Sequence, residues 1–370
     1  MKWLASLLLL VLCTSVLPQA NVQKWTQSVK LLFLGDVMGH DAQIIAAHDS
    51  SENTYNYNGS FQYFKSYFNS ADAVIANLEV TLAGAPYKGY PQFSSPDALA
   101  QAAKDAGIDI MITANNHSLD RGKKGATRTL SVLDSMNYGY TGTFDSLPVR
   151  KRKYPLIFEI NNISIALLNY TYGTNGIKVK APFIVNYIDT ALIKKDIAKA
   201  KSVSPDFIIV TLHWGKEYER TENKKQQQLA QFIFKEGADA IIGSHPHVIQ
   251  PIDYNYDSVT RTYHQAIFYS LGNYVSNQRS QYKDGGIIAE LELSKSNSKK
   301  AITDVKHMPY WVYRPTNSFG KHEFFVLPIP FYELKKEEFA LSDNDIFRIN
   351  RFTKDTRNHL KEFNESDFYK

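Results

Sequence analysis

Residues 29–38 read Val29-Lys30-Leu31-Leu32-Phe33-Leu34-Gly35-Asp36-Val37-Met38. A short apolar run stopped by glycine predicts a buried strand over 30–35, with Asp36 just past its carboxyl end. The same grammar recurs downstream. Apolar runs predict strands at 73–78, 109–113, 156–160, 164–170, 207–212, 240–242, 266–270 and 286–293, with Asn161-Asn162 as a hairpin turn. Helix-like runs at 95–106, 123–136, 190–201 and 225–237 lie between many of them, and Gly107 and Gly237 read as helix C-caps. Short strands alternating with helices are the pattern of an α/β fold.

Polar residues fall at one recurrent place in this pattern. Asp36, Glu79, Asn115-Asn116-His117, His213, His245-Pro246-His247 and Asn273 each stand just beyond a predicted strand. Open α/β sheets build their sites at those carboxyl ends. Each residue has an ordinary alternative when taken singly. Asp36 can be a helix N-cap, Glu79 an exposed carboxylate, Asn115 or Asn116 a turn residue, and His213 a satisfied core histidine. The conjunction is what points to a site, because a core has no reason to place such groups at the same end of successive strands. His245 and His247, two apart in a strand-like loop, would point the same way and share a metal cluster.

Carboxylates, an amide oxygen and imidazoles form a mixed oxygen and nitrogen donor set. It suits Mn, Fe, Zn or Mg, one ion or two, rather than copper or iron–sulfur clusters. A carboxylate can bridge two ions roughly 3.5–4 Å apart, an arrangement that serves phosphatases and nucleases.

The remaining composition bounds the function. The chain has 370 residues and a formal charge of +5 from 42 basic and 37 acidic residues, a small excess for its size whose longest consecutive basic stretch is Arg150-Lys151-Arg152-Lys153, so nucleic-acid binding is not expected. The single Cys excludes disulfide and Cys–zinc chemistry, since Cys13 lies inside a segment that reads as a signal peptide, residues 1–20. Export to the periplasm or the outer face of the envelope follows, with membrane association only through an uncleaved signal or a lipid on Cys13. The main domain is expected over 28–300. After it, an aromatic and Pro-rich segment and a charged, amphipathic end (301–370) read as a C-terminal extension packed on that domain.

Gly35-Asp36-Val37-Met38, Asn77-Leu78-Glu79, Asn115-Asn116-His117, His213-Trp214-Gly215, Gly243-Ser244-His245-Pro246-His247-Val248 and Ser270-Leu271-Gly272-Asn273-Tyr274, in this order, resemble the CapA family. That family is associated with capsule and poly-γ-glutamate biosynthesis in bacteria and is related to the calcineurin-like metallophosphatases. The resemblance implies two β-sheets packed as a sandwich and flanked by helices. It implies that Asp36 and His247 hold a first ion, that Asn116, His213 and His245 hold a second, and that Glu79 bridges. It implies His117 as the general acid and Asn273 as a residue that binds substrate or orients a ligand. Tyr170 and Tyr172 are candidates for lining the pocket, and Asp120 and Arg121 for orienting His117 or binding an anionic group of the substrate. The function implied is a metal-dependent hydrolase or transferase acting on a γ-glutamyl amide or phosphoester of an anionic envelope polymer or its precursor; the alternative is a non-catalytic component of polymer assembly or export. One departure stands out: the phosphatases begin with Asp-x-His, whereas Val37-Met38 follow Asp36 here, and His40, the nearest histidine, reads as an exposed loop residue.

Overall fold

The computed structural model describes residues 24–297, 299–318 and 320–369. The expected signal segment and Cys13 lie outside the described residues. Among those described, no helix is long and apolar enough to cross a membrane.

The strand that carries Asp36 runs Gln27–Val37. It pairs in parallel with Ala73–Leu78, which is followed by Ile110–Ile112 and Gly139–Thr141. On its other side it pairs antiparallel with Gly285–Ser296, whose hairpin partner is Lys299–Tyr313. A second parallel set is made of Ile163–Thr171, Phe207–His213, Ala240–Ser244 and Thr262–Phe268. One register pair, Tyr263 with Ile302, joins the two sets, and the sheet folds over at that joint.

Strand alternation explains why the two sets stack. Side chains of successive residues point to opposite faces. Leu31, Phe33, Ile75 and Ile110 therefore share one buried cluster with Ile165, Ile209, Ala240 and Phe268 from the other set, which is the middle of the sandwich. Their neighbours Leu32, Leu34, Val74 and Ala76 face outward, against Leu99 and Ala103 of the helix Ala98–Asp105 and against Leu133 of the helix Gly122–Ser135. On the opposite outer face Leu168, Val210 and Leu212 pack on Ile193, Ile197, Ala230 and Ile233 of the helices Thr190–Ser202 and Lys224–Glu236. The result is the helix-flanked β-sandwich expected for the fold class.

Most predicted elements fall within a few residues of the observed ones. Asn161 and Asn162 have φ of 51° and 59°, as a tight two-residue hairpin turn requires. Gly107 and Gly237 end their helices at φ of 107° and 105°, each with the paired backbone bonds that close a left-handed cap. The boundary at residue 300 is the main correction. Lys299–Tyr313 pairs residue for residue with Gly285–Ser296 and buries Ile302, Val305, Met308 and Trp311, so a cut there divides a central hairpin. From the rest of that segment the helix Asp343–His359 covers the inner cluster with Ile349 and Phe352, and Asn364–Glu365 adds a short strand beside Lys306 and His307.

Candidate metal centre

Two parallel strand sets that meet face to face bring their carboxyl ends to one place. Asp36 ends the first strand, and Glu79 follows Leu78. Asn115 to His117 form the turn after Ile112, His213 ends its strand, and His245 follows Ser244. Asn273 opens a short strand, Asn273–Val275, that pairs directly with Asp36. All of these side chains are buried.

Glu79 sits at the centre. His213 Nε2 lies 3.5 Å and His247 Nε2 3.8 Å from its Oε1. Both carboxylate oxygens are buried with no donor in good hydrogen-bond geometry, and the Asp36 carboxyl is close enough to share a proton with Glu79. Burial, and then the neighbouring Asp36 carboxylate, push the Glu79 pKa well above the usual range. His245 Nδ1 is a second buried atom left without a partner. Native interiors rarely leave such groups unsatisfied. Glu79, His245 and His247 offer ligand atoms all within 4.8 Å of one another, and so do Asp36, Glu79 and His213.

The surrounding hydrogen bonds fix these side chains. Asp36 Oδ1 accepts from Asn77 Nδ2 at 2.7 Å, and Asp36 Oδ2 lies 3.1 Å from His247 Nδ1. Burial by itself would raise the Asp36 carboxyl, but the bonds and charge of His247, with the Asn77 amide, hold it below the ordinary value. His247 Nδ1 also lies 2.9 Å from Asn273 Oδ1. With acceptors from Asp36 and Asn273 both at Nδ1, His247 donates from that nitrogen and its Nε2 side faces Glu79. Asn116 Oδ1 is 2.8 Å from His213 Nε2. Burial, then the imidazoles of His245 and His247, lower the His213 pKa well below its ordinary value, and burial, then the His247 imidazole, bring His245 to about 3. Both rings are neutral, the form that binds metal.

His117 stands beside this group. Its Nδ1 lies 2.7 Å from Asp120 Oδ2, its ring meets Phe93 edge-on at 4.7 Å, and Asn175 spans from Asn116 to its Nδ1. Burial raises the Asp120 pKa in spite of the imidazole. Tyr172, 48% exposed, lies over His245 with ring centroids 4.5 Å apart, and Tyr218 lies 6.2 Å from His247.

Glu79 lies within ligand reach of His245 and His247 and of Asp36 and His213, while Asp36 also lies 3.1 Å from His247 and the His213 and His245 rings are 4.8 Å apart. Other expectations change. His245 and His247 are not strand-like: their φ values are 99° and 57°, and the turn around Pro246 aims both rings inward. Such backbone costs on the order of 1–3 kcal/mol per residue and persists where the surroundings over-determine it. Tyr170 is fully buried under the helix Thr190–Ser202, its hydroxyl donating to Asp196, because its side chain falls on the outer face of its strand. Arg121 donates to the carbonyl of Pro86 and so braces a neighbouring loop. His40 is largely buried: its ring meets Phe93 edge-on at 5.3 Å, its Nδ1 accepts from the Asn277 amide, and burial lowers its pKa to about 4. Asn77 was missed as a participant. Its place two residues before Glu79 on the same strand face was the available signal.

The family model described as "Bacterial capsule synthesis protein PGA_cap" matches residues 30–278. A capsule biosynthesis protein CapA from Bacillus anthracis is 28% identical over 278 residues, 71% of this chain and 63% of that protein. A PGA biosynthesis protein CapA from Bacillus subtilis (strain 168) is 29% identical over 276 residues, 72% of this chain and 68% of that protein. The chain thus spans under two thirds of the length of the first of these relatives. Among solved structures it is similar to the calcineurin-like phosphoesterase YfkN from Bacillus subtilis, at 13% identity and a TM-score of 0.48 over 91% of this chain and 98% of that one. With a family match across the whole site-bearing part of the sandwich, the chain belongs to the PGA_cap family of bacterial capsule synthesis proteins.

Proposed function

We propose that this chain is a metal-dependent hydrolase or transferase that acts, outside the cytoplasm, on a γ-glutamyl amide or phosphoester bond of an anionic envelope polymer or its precursor. The observation that carries this reading is Glu79. A carboxyl group buried without a donor, among imidazoles and beside the Asp36 carboxyl, is expensive to ionise unless a cation completes it. The donor set fits one or two divalent ions, with Mn, Fe, Zn and Mg the candidates. Glu79 would be shared, with Asp36 and His213 on one side and His245 and His247 on the other, and Asn116 Oδ1 within reach of the His213 side. A bound divalent ion supplies positive charge that acidifies water and stabilises developing negative charge.

The chain's own residues do the rest. Asp120 holds the proton of His117 on Nδ1, so exchange with a leaving group takes place at Nε2. Asn115 donates to the Leu78 carbonyl and to Asn77 Oδ1, which sets the turn that presents Asn116 and His117. Asn77 and Asn273 orient Asp36 and His247. Envelope polymer chemistry is supported by the capsule and PGA biosynthesis named for the two Bacillus relatives.

A second reading rests on Met38, buried where the phosphatases have a ligand histidine. A centre short of one ligand suits a structural ion in a non-catalytic assembly component. Metal analysis of the purified protein, beside a His245→Ala/His247→Ala variant, tests both. Bound ion lost in the variant, followed by turnover of a γ-glutamyl or phosphoester substrate that His117→Ala strongly lowers, is the expected result. Wild-type protein that neither carries nor takes up Mn, Fe, Zn or Mg sinks the proposal.

A further inference from the structure

Asn273 ties the centre to the loop of residues 276–284. Its Nδ2 donates to the carbonyl of Lys283 at 3.2 Å and to Gln278 Oε1 at 3.1 Å, while its Oδ1 meets His247. The other end of the loop is held too, since the Asn277 amide donates to His40 Nδ1. The loop is thereby stapled to the rim of the cluster at both ends.

Lys283 projects from this loop onto the mouth. Its Nζ lies 4.0 Å above the ring of Tyr218, and Tyr218 is anchored to the His-Pro-His turn by its amide, which donates to the Pro246 carbonyl at 2.8 Å. Among the described residues no carboxylate forms an ion pair with Lys283, whereas most lysines that are similarly half-buried here have one: Lys30, Lys295 and Lys306 each meet an acid. A partly desolvated ammonium held on an aromatic face, with no carboxylate in ion-pair contact, is poised to take an anion from outside. Arg314 meets the same loop, bonded to Asn277 Oδ1 at 2.8 Å and likewise without an acid partner among the described residues. Glu217, beside Tyr218, opposes the positive charge: burial and then this carboxylate push the Tyr218 hydroxyl up to about 12.

We infer that Lys283, backed by Arg314, forms an anion subsite at the mouth of the centre, which holds a carboxylate or phosphate of the substrate next to the bond that reacts. This rests on the reading of the cluster as a substrate site. It adds a residue pair that determines specificity: a substrate neutral at that position loses the contact.

Binding separates this inference from the catalytic proposal, because it needs no turnover. The full chain would be titrated calorimetrically with a γ-linked glutamate oligomer, with the same oligomer amidated on its α-carboxylates, and with inorganic phosphate. Lys283→Gln is expected to weaken the oligomer by about tenfold or more, the scale of one charge-assisted hydrogen bond, and Lys283→Arg to restore most of it. The amidated oligomer should not distinguish the variants, and Glu217→Gln should tighten the charged one. If instead phosphate alone is weakened by Lys283→Gln, the subsite stands and its anion is a phosphoester. Unchanged affinity of both anions in Lys283→Gln overturns the inference, and so does a wild type that binds neither. Metal content measured on the same samples reports on the catalytic proposal independently.

Discussion

His117 and Asp120 are 2.7 Å apart and 4% and 3% exposed, a pair whose removal leaves the proposed metal ligands in place. His117→Ala should therefore lower turnover by about 10²–10⁴-fold, the range of a lost general acid, at unchanged metal content. Elemental analysis run beside steady-state kinetics checks both halves. Histidine burial also sets an acid limit to stability. His40 and His359 are both brought to about 4, chiefly by burial, against an ordinary value of 6.5. A folded pKa depressed in a base means that the unfolded chain binds more protons between those values. The stabilisation is whole above about 6.5 and is lost as pH falls toward about 4. The melting temperature should fall across that window, and His40→Gln should flatten part of the slope; a melting temperature level from pH 7 to 4 would contradict it. At this scale the residue types of the centre were legible, because metal ligands are few and chemically distinct. The roles of Tyr170 and Arg121 were not legible, because which face of a strand or loop a side chain takes depends on what packs there.

At the scale of elements, the strand carrying Asp36 and the strand opened by Asn273 approach so closely that a β-carbon on Gly35 would lie 2.0 Å from the carbonyl oxygen of Gly272. That oxygen accepts the Asp36 amide at 3.1 Å. Gly35→Ala must push the two strands apart, and a destabilisation of about 1–3 kcal/mol is expected, with weakened metal retention. Urea denaturation and elemental analysis measure the two effects. The helices and their glycine caps could be placed from sequence because capping and helical periodicity are local. The strand ends were less legible: Ala240–Ser244 and Gly285–Ser296 outrun their apolar runs, since pairing partners supply the extra hydrogen bonds. The long strand Lys299–Tyr313 was hidden for the same reason. Its charged first half alternates with buried residues, and only its place between Gly285–Ser296 and Thr262–Phe268 makes it a strand of the central sheet.

For the whole molecule, a chain ending at residue 300 should not fold, because it lacks the hairpin partner that shields Leu291 and Leu293 and the helix that brings Ile349 and Phe352 to the inner cluster. Soluble expression and a cooperative melting transition of such a truncation would refute this. A ligand that binds only the folded form stabilises it by mass action, so added Mn or Zn at about a hundred times its dissociation constant should raise stability by about 2.7 kcal/mol. The His245→Ala/His247→Ala variant should not respond, which thermal melts with and without chelator would show. Local sequence by itself determined the α/β class and the polar residues that stand at the strand ends, because apolar periodicity and residue chemistry are carried by neighbouring residues. Tertiary structure decided how those residues group around Glu79 and where Tyr170, Arg121 and His40 point. It also decided that Lys283 and Arg314, thirty-one positions apart, serve one loop at the mouth of the centre. These depend on contacts between distant segments, and the energy of such contacts exists only once the two parallel sets have packed face to face.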